Sequence, residues 1–338
     1  MKLTIAIPTY DRNEVLRGSV AKLLPQLTPA CEVHILDNCS PVPVAETLQG
    51  LLEAWPGTNV RITRNPANIG GAANILRCFE SCRGVWIWCL GDDDTVASDA
   101  IESILRDIAR LPHATMIHYS TPVDPHDTDL TVQGQAGFIN SPVSFNGMMF
   151  TPAAVYKLDK VTQMLRFGYL YAYSWGPHVA VALSALGQSG TCEVRSYDLI
   201  ISNIGVGKEN MWSPIGYLAG RQALLELPMS DQCRIALGLK MSRSPSVEYI
   251  ACEMMLRAKE EHANREALFM YDQIAARSRA LSCGFFARLK WRAYRPLVAW
   301  PNLGYFLVGV VYRVFSALPY FARNPLANLA ARDRFYRA

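Results

Sequence analysis

Residues 85–94 read Val-Trp-Ile-Trp-Cys-Leu-Gly-Asp-Asp-Asp, an apolar run that ends in three consecutive carboxylates. A short apolar run closed by glycine has the length of a buried strand. Adjacent side chains of one sign repel one another and are costly to desolvate, so a fold places them where a cation or solvent compensates. In open α/β sheets, ligands collect beyond the carboxyl ends of the strands. The junction therefore predicts a sheet strand that delivers Asp92, Asp93 and Asp94 to a metal and a diphosphate. Taken alone, the triplet also fits a solvated acidic turn closing a strand.

The flanking sequence favours the first reading. Lys2 to Ile7 runs apolar into Pro8-Thr9-Tyr10, and Glu32 to Leu36 runs into Asp37-Asn38-Cys39-Ser40. Val60 to Arg64 is a third short strand, and helical patterns over residues 13–27, 44–54 and 68–82 separate the strands, the last entered through Gly70-Gly71. Strands alternating with helices imply a parallel sheet with right-handed crossovers, a Rossmann-like nucleotide-binding half. If the strands are parallel, Thr9-Tyr10-Asp11, Asp37-Asn38 and the Asp triplet share one edge and can face one ligand. Beyond it, residues 98–111 read as a helix opened by Ser98-Asp99 and Thr115 to Tyr119 as a strand. Pro122 to Gly147, rich in Pro, Asp, Gly and Ser, shows no clear period and reads as a functional loop or lid. Residues 215–227 and 246–276 read as helices.

At 338 residues, half of them apolar, the chain has material for one large domain with an appendage or for two modest domains. Nine scattered cysteines and no N-terminal signal peptide suggest a reducing cytoplasm, and Cys78 and Cys82 lack the second ligand pair that a zinc site needs. The net charge of +4 hides an asymmetry: residues 277–338 hold eleven Arg or Lys against the single acid Asp333, so residues 1–276 are net acidic. Such a division suggests chemistry in the body and an anionic surface for the tail.

Four stretches carry a family resemblance: Thr4-Ile5-Ala6-Ile7-Pro8-Thr9-Tyr10-Asp11-Arg12, Asp37-Asn38-Cys39-Ser40, Asn65-Pro66-Ala67-Asn68-Ile69-Gly70-Gly71-Ala72-Ala73-Asn74 and Gly91-Asp92-Asp93-Asp94. In order and spacing they resemble family 2 glycosyltransferases of the GT-A fold, closely over residues 1 to about 120, loosely to 205 and hardly beyond. The resemblance implies a GT-A α/β domain over residues 1–205 (1–120 for the nucleotide sugar, 121–205 for the acceptor), a helical extension over 206–276 and basic, aromatic membrane-associating helices over 277–338. It implies transfer of a sugar from a nucleotide diphosphate donor to an acceptor hydroxyl, with Mn²⁺ or Mg²⁺ as cofactor. It places Pro8, Thr9 and Asp37 at the base, although Asp37 also fits a simple turn cap, with Tyr10 beside them among the donor-binding residues, Asn68, Gly70 and Asn74 along the nucleotide, Asp92 at the ribose, Asp93 behind it and Asp94 on the metal.

An inverting enzyme of this type also needs a base near the acceptor. The corresponding stretch, Tyr173-Ser174-Trp175-Gly176-Pro177-His178-Val179-Ala180, holds no carboxylate. His178 is the candidate there, and it fits a packed or hydrogen-bonded histidine equally well. Asp198 is the second candidate, with Asp159 and Glu193 as further carboxylates. Tyr173 and Trp175 read as a stacking surface for an acceptor sugar or as core.

From Phe285 the pattern predicts a helix with Arg288, Arg292 and Arg295 on one face and Phe286, Leu289 and Ala293 on the other, as in a helix lying in a membrane interface. Leu303 to Ala322 is mostly apolar, but Arg313 at its middle argues against a spanning helix. The expected partners are a nucleotide sugar, a lipid-linked glycan of O-antigen or capsule type, and an anionic surface on the cytoplasmic side of the inner membrane. The tail also fits an ordinary helical subdomain or a homo-oligomer interface, and no nucleic-acid-binding fold is visible. Rival readings of the whole are a sugar nucleotidyltransferase, for which Pro8 to Asn13 lacks a glycine-rich basic loop, and a non-catalytic sugar-nucleotide binding module.

Overall fold

The computed structural model describes residues 1–203, 220–243, 247–260, 264–281, 285–304 and 306–307. The Val85 to Leu90 run is the fourth strand of a mixed sheet. In chain order the strands are β1 (Leu3–Thr9), β2 (Cys31–Asp37), β3 (Val60–Arg64), β4 (Trp86–Cys89), β5 (Asp94–Val96), β6 (Met116–Ser120), β7 (Leu130–Gln133), β8 (Ala154–Lys157), β9 (Thr191–Asp198) and β10 (Ile200–Asn203). The main sheet runs β3-β2-β1-β4-β8-β6-β9-β7, and β5 pairs with β10 in a separate ribbon.

β1 pairs parallel with both β2 and β4, and β2 with β3. β8 is antiparallel to β4 and β6, so β6 and its parallel neighbour β9 point the same way as β1. The strand order reverses at β1, which opens a crevice between the carboxyl ends of β1 and β4. β2 is buried at every position and β1 at all but one, the signature of strands covered on both faces.

The helices fall between them as α1 (Asn13–Leu23), α2 (Val44–Glu53), α3 (Gly71–Ser81), α4 (Ala100–Arg110), α5 (Gly134–Asn140), α6 (Phe145–Met149), α7 (Leu158–Val161), α8 (Leu165–Leu170) and α9 (Pro177–Leu186). Ile101, Ile104 and Ile108 of α4 follow the helical period and enter the core beside Trp88, Ile117 and Tyr119. Trp88 is fully buried, and its indole N–H donates to the Pro152 carbonyl at 2.8 Å. That bond ties β4 to the turn Thr151–Ala153 that leads into β8.

Residues 122–147 differ from the lid expected of them. β7 joins the sheet edge antiparallel to β9, and the Thr131 hydroxyl donates to Glu193 at 2.8 Å. Phe138, Ile139, Val143 and Phe145 are buried, and Ser144 caps α6 by accepting from the Gly147 N–H. Order here comes from a long-range strand pairing and scattered buried side chains, neither of which leaves a local period.

The chain divides into two compact units, one of Met1–Trp212 with Glu226–Cys233 and one of Ser213–Leu225 with Arg234–Ala338. The expected helix over 215–227 is a 3-10 segment, Arg221–Glu226, in its described part. It is followed by α10 (Asp231–Arg243), α11 (Val247–Glu260), α12 (Asn264–Leu281) and α13 (Phe285–Ala299). The boundary expected at 276/277 falls inside α12. In the second unit α11, α12 and α13 share a core around Met255, Tyr271, Ile274, Trp291 and Val298. Tyr271 meets Trp291 at 5.3 Å between ring centres and donates to the Trp291 carbonyl at 2.8 Å.

This packing rotates α13 away from the expected amphipathic faces. Trp291 and Val298 point inward, Leu289 is 51% exposed, and Arg295 makes a two-pronged pair with Asp272 at 2.8 and 2.7 Å. Among the described residues no helix is long and apolar enough to cross a membrane, and most of the Leu303 to Ala322 stretch lies outside them.

Gly147 tests the order of the 122–147 segment. A Cβ there would lie 2.0 Å from a carboxylate oxygen of Asp124, which accepts from the Ser144 N–H at 2.9 Å. Gly147→Ala is expected to cost about 2 kcal/mol of stability by denaturant titration; an unchanged midpoint would mean that the segment is not packed this way.

Candidate functional site

Register brings the site together. Ala6 of β1 lies opposite Cys89 of β4, so Thr9 and Asp92, each three residues further on, meet beyond the strand ends. The Thr9 hydroxyl donates to one Asp92 oxygen at 2.7 Å, and Arg12 donates to the other at 2.6 Å. Arg12 also pairs with Asp93 at 3.1 Å. Asp94 folds back and accepts from the Gly91 N–H at 2.8 Å. A Cβ at Gly91 would lie 2.5 Å from that Asp94 oxygen, so the glycine makes room for the carboxylate.

All three aspartates are buried, at 6%, 3% and 2% exposure. Arg12 is thus in direct contact with two of the buried aspartates at the crevice between β1 and β4.

A second cluster forms at the end of β2. Asp37, opposite Thr9 in the β1–β2 register, accepts from the Ser40 N–H at 2.8 Å, the Val44 N–H at 3.3 Å and Arg64 at 2.6 Å. Burial works to raise its carboxyl, but these hydrogen bonds dominate and hold it below the usual carboxylate range. The Ser40 hydroxyl, the cap on α2 and the Arg64 pair together occupy this carboxylate.

Beside it lies a network of amides. The Asn38 side chain donates to Asn68 at 2.8 Å and accepts from Asn65 and from the Ile69 N–H at 3.0 Å. Asn65 also donates to Asn74 at 2.9 Å, and Asn74 donates to the Leu36 carbonyl at 3.0 Å. Asn68 accepts from the Gly70 N–H at 2.9 Å, and Gly70 adopts a φ of 85° that only glycine takes without strain. Asn74, expected along the nucleotide, is buried inside this frame and holds the loop that Asn68 and Gly70 form.

Pro8, Thr9 and Tyr10 close β1 on the same edge. Asp11 and Cys39, in the turns after β1 and β2, have φ of 51° and 66°. Non-glycine residues in that region cost on the order of 1 kcal/mol each.

The two base candidates separate. His178, at the start of α9, is 1% exposed. Its Nε2 lies 3.2 Å from the Met148 carbonyl, which can only accept, so Nε2 carries the proton and Nδ1 faces the Thr151 hydroxyl at 3.5 Å. Burial pushes the imidazole down to about 4. His178 is therefore an enclosed, neutral staple between α9 and the turn before β8, and the expectation of an open base fails on its burial.

Asp198 is exposed at the carboxyl end of β9, on the same edge as the aspartate triplet. Glu193 is buried and occupied by Thr131 and Arg195, and Asp159 lies past the end of antiparallel β8, on the opposite edge.

Residues 4–164 match the family model described as Glycosyl transferase family 2. This segment is a family 2 glycosyl transferase domain. An uncharacterized glycosyltransferase of Haemophilus influenzae is 27% identical over 117 residues, which is 35% of this chain and 38% of that protein. The abequosyltransferase RfbV of Salmonella typhimurium is 26% identical over 106 residues, 30% of this chain and 31% of that protein. The chain thus matches these curated relatives over about a third of their length. Among solved structures, S. aureus TarS 1–349 superposes with a TM-score of 0.63 at 14% identity, over 90% of this chain and 92% of that one. Its complex with UDP-GlcNAc gives 0.63 at 13%. At such identity the likeness is one of fold, and the fold is GT-A.

Two functional contacts escaped the sequence reading. Arg12 stands in a quoted motif, but a single arginine in a turn has no periodic signal to mark it as the partner of residues eighty positions away. The sequence puts Asn38 on the ligand edge and Asn65 in a family motif, but nothing in it marks the amide frame that joins them.

Arg12→Gln removes the ion pairs that Arg12 makes with Asp92 and Asp93. The expected cost is about 3 kcal/mol of unfolding free energy near pH 7, read by denaturant titration; a loss under about 0.5 kcal/mol would refute the clamp.

A second outcome concerns acid. An unfolded histidine protonates near pH 6.5, whereas buried His178, like His34 beside Arg61, holds out to about 4. Between those values the unfolded chain binds protons that the folded chain refuses, so stability present above 6.5 is lost as pH falls. The share of His178 approaches about 3 kcal/mol. His178→Asn is expected to flatten the curve of unfolding free energy between pH 6.5 and 4.

Proposed function

We propose that this chain transfers a sugar from a nucleotide diphosphate donor to an acceptor hydroxyl, by direct displacement with inversion. The observation that carries the reading is the buried convergence of Thr9, Arg12 and Asp92 to Asp94 at the β1–β4 crevice of a family 2 domain. Pro8, Thr9, Tyr10 and Asp37 border the base. Asn68 and Gly70 line the nucleotide, in a loop that the Asn38–Asn65–Asn74 frame holds open.

Asp92, held by Thr9 and Arg12, accepts from the ribose. The cluster of carboxylates fits a divalent cation, and hard oxygen donors suit Mn²⁺ or Mg²⁺. Among the described residues no group of three or more His, Cys, Asp or Glu could hold a metal by itself. Asp94 would hold the ion together with donor oxygens, and the bound ion would neutralise charge on the departing diphosphate. The acceptor oxygen attacks the anomeric carbon as the bond from that carbon to the diphosphate oxygen breaks. Exposed Asp198 takes the acceptor proton.

A relative named an abequosyltransferase and a neighbour crystallised with UDP-GlcNAc favour a nucleotide sugar over a nucleoside triphosphate, which sets aside the nucleotidyltransferase reading. The acceptor we assign is a lipid-linked oligosaccharide of O-antigen or capsule type, reached at the cytoplasmic face of the inner membrane. Support comes from the second unit, where Trp300, Leu303, Phe306 and Leu307 are 64%, 48%, 67% and 40% exposed and Arg288, Lys290 and Arg292 are exposed on α13. Apolar side chains beside cations suit an anionic bilayer surface.

Purified protein with a panel of nucleotide sugars and Mn²⁺ is expected to release nucleotide diphosphate with one donor, and chelator or Asp94→Ala to remove at least about 99% of that release. Tight donor binding without turnover, even with a membrane lipid extract as acceptor, would favour the binding module instead. In flotation assays the protein is expected to bind anionic phospholipid vesicles, and Trp300→Ser with Phe306→Ser to release it; equal binding to neutral vesicles would count against the anionic surface.

A further inference from the structure

A cavity of about 500 Å³, within the range of small-molecule sites, opens between the second half of α4 and the end of β9. Three arginines line it, Arg106 and Arg110 from α4 and Arg195 from β9. None of the residues assigned to the donor is among those lining it.

The strand is irregular here. β9 pairs with β6 in steady register from Cys192 to Arg195, opposite Met116 to Tyr119, and then jumps so that Ser120 faces Asp198. Ser196 and Tyr197 therefore bulge out of the ladder, and a bulge re-aims side chains. The Ser196 N–H donates to the Asp129 carboxylate at 2.8 Å. The Tyr197 hydroxyl donates to Asp107 of α4, and its ring meets Tyr119 edge-on at 5.4 Å.

The acids around the cavity are thereby occupied. Asp107 takes the Tyr197 hydroxyl, Asp129 takes the Ser196 N–H, and Arg195 lies between Glu193 at 3.1 Å and Asp129 at 3.8 Å. Arg106 and Arg110 are the remaining charges. Both are exposed and stand one turn apart on one face of α4, where like charges repel. Arg106 donates to the Ser103 hydroxyl at 3.2 Å and lies 6.0 Å from the centre of the Tyr197 ring. Among the described residues neither arginine forms an ion pair, Glu102 one turn before Arg106 included. A helix C-terminus favours a cation in its last turn, which accounts for Arg110 but not for Arg106 facing the same space.

We propose that this cavity is a second binding site, for the oxyanion group of a sugar-sized acid, a sugar phosphate or a uronate. Guanidinium forks match the paired oxygens of phosphate and carboxylate, and two of them one turn apart can grip one group together. The bound charge also relieves the repulsion between Arg106 and Arg110. A single phosphate fills only part of the volume, and the polar lining suits the hydroxyls of a sugar. The bulge ends at Asp198, so an occupant braces the strand end that carries this carboxylate. Arg106, Arg110 and Arg195 take no part in the donor reading above.

The test uses glucose 1-phosphate, glucuronate and uncharged methyl glucoside as probes, with chelator present, on wild type, Arg106→Gln and Arg110→Gln, and reads binding by NMR titration. Because both arginines are exposed, the variants are expected to fold and to melt as wild type does. Wild type is expected to bind at least one of the two acids in preference to methyl glucoside. Each substitution is expected to weaken that binding about tenfold, and added salt to weaken it further. Tighter binding of glucose 1-phosphate identifies a phosphate ligand, and tighter binding of glucuronate a uronate. A wild type that binds neither acid overturns the site, as does equal binding of methyl glucoside. Acid binding that both variants keep in full also overturns it, and would put the acid elsewhere on the protein.

Discussion

The Arg12 guanidinium lies between the ends of two strands that are far apart in sequence and adjacent in space, and it holds two carboxylates that would otherwise repel each other at close range. Thr9 supplies the remaining hydrogen bond from β1. This cation helps to keep the acidic end of β4 buried at the mouth of the crevice, because charge in a low-dielectric site needs compensation. With it, Asp92 and Asp93 are oriented before any ligand arrives, and the third carboxylate is left to fold back on Gly91. Geometry that is set in advance avoids an ordering cost at binding.

The order of strands makes that arrangement possible. β1 pairs with β2 on one side and β4 on the other, so the turns after β1, β2 and β4 all rise on a single edge. This much was legible in the sequence. The apolar runs ending in Thr9, Asp37 and Asp92 become β1, β2 and β4 with bounds within a residue or two of those read from the pattern, because buried parallel strands are uninterrupted apolar segments. The helical stretches opened by Asn13, Val44 and Gly71 were legible for the same reason, each presenting one apolar face at the helical period.

What escaped the sequence is whatever depends on partners distant in the chain. The 122–147 segment has no local period, since β7 exists only by pairing with β9 and α5 and α6 are short. His178 has the residue type of a base and the position of a helix start, yet two oxygens from Met148 and Thr151 enclose it. The α13 faces follow Trp291 against Tyr271 rather than the alignment of Leu289 with Phe286. In each case a single tertiary contact decided between readings that the linear pattern left equal or tilted the other way.

The frame around the nucleotide loop is built from four asparagines, Asn38, Asn65, Asn68 and Asn74, and contains no titrating group. An amide network neither gains nor loses charge with acidity and is not screened by ions in the way that carboxylates and guanidinium are. The crevice is therefore divided into two electrical halves. Its asparagine wall keeps one shape across changes of acidity and ionic strength, while the aspartate wall a few ångströms away responds to both. On the proposed donor reading, selection of the nucleoside and grip on the diphosphate are set by walls with separate sensitivities, and each can drift in evolution without dragging the other along.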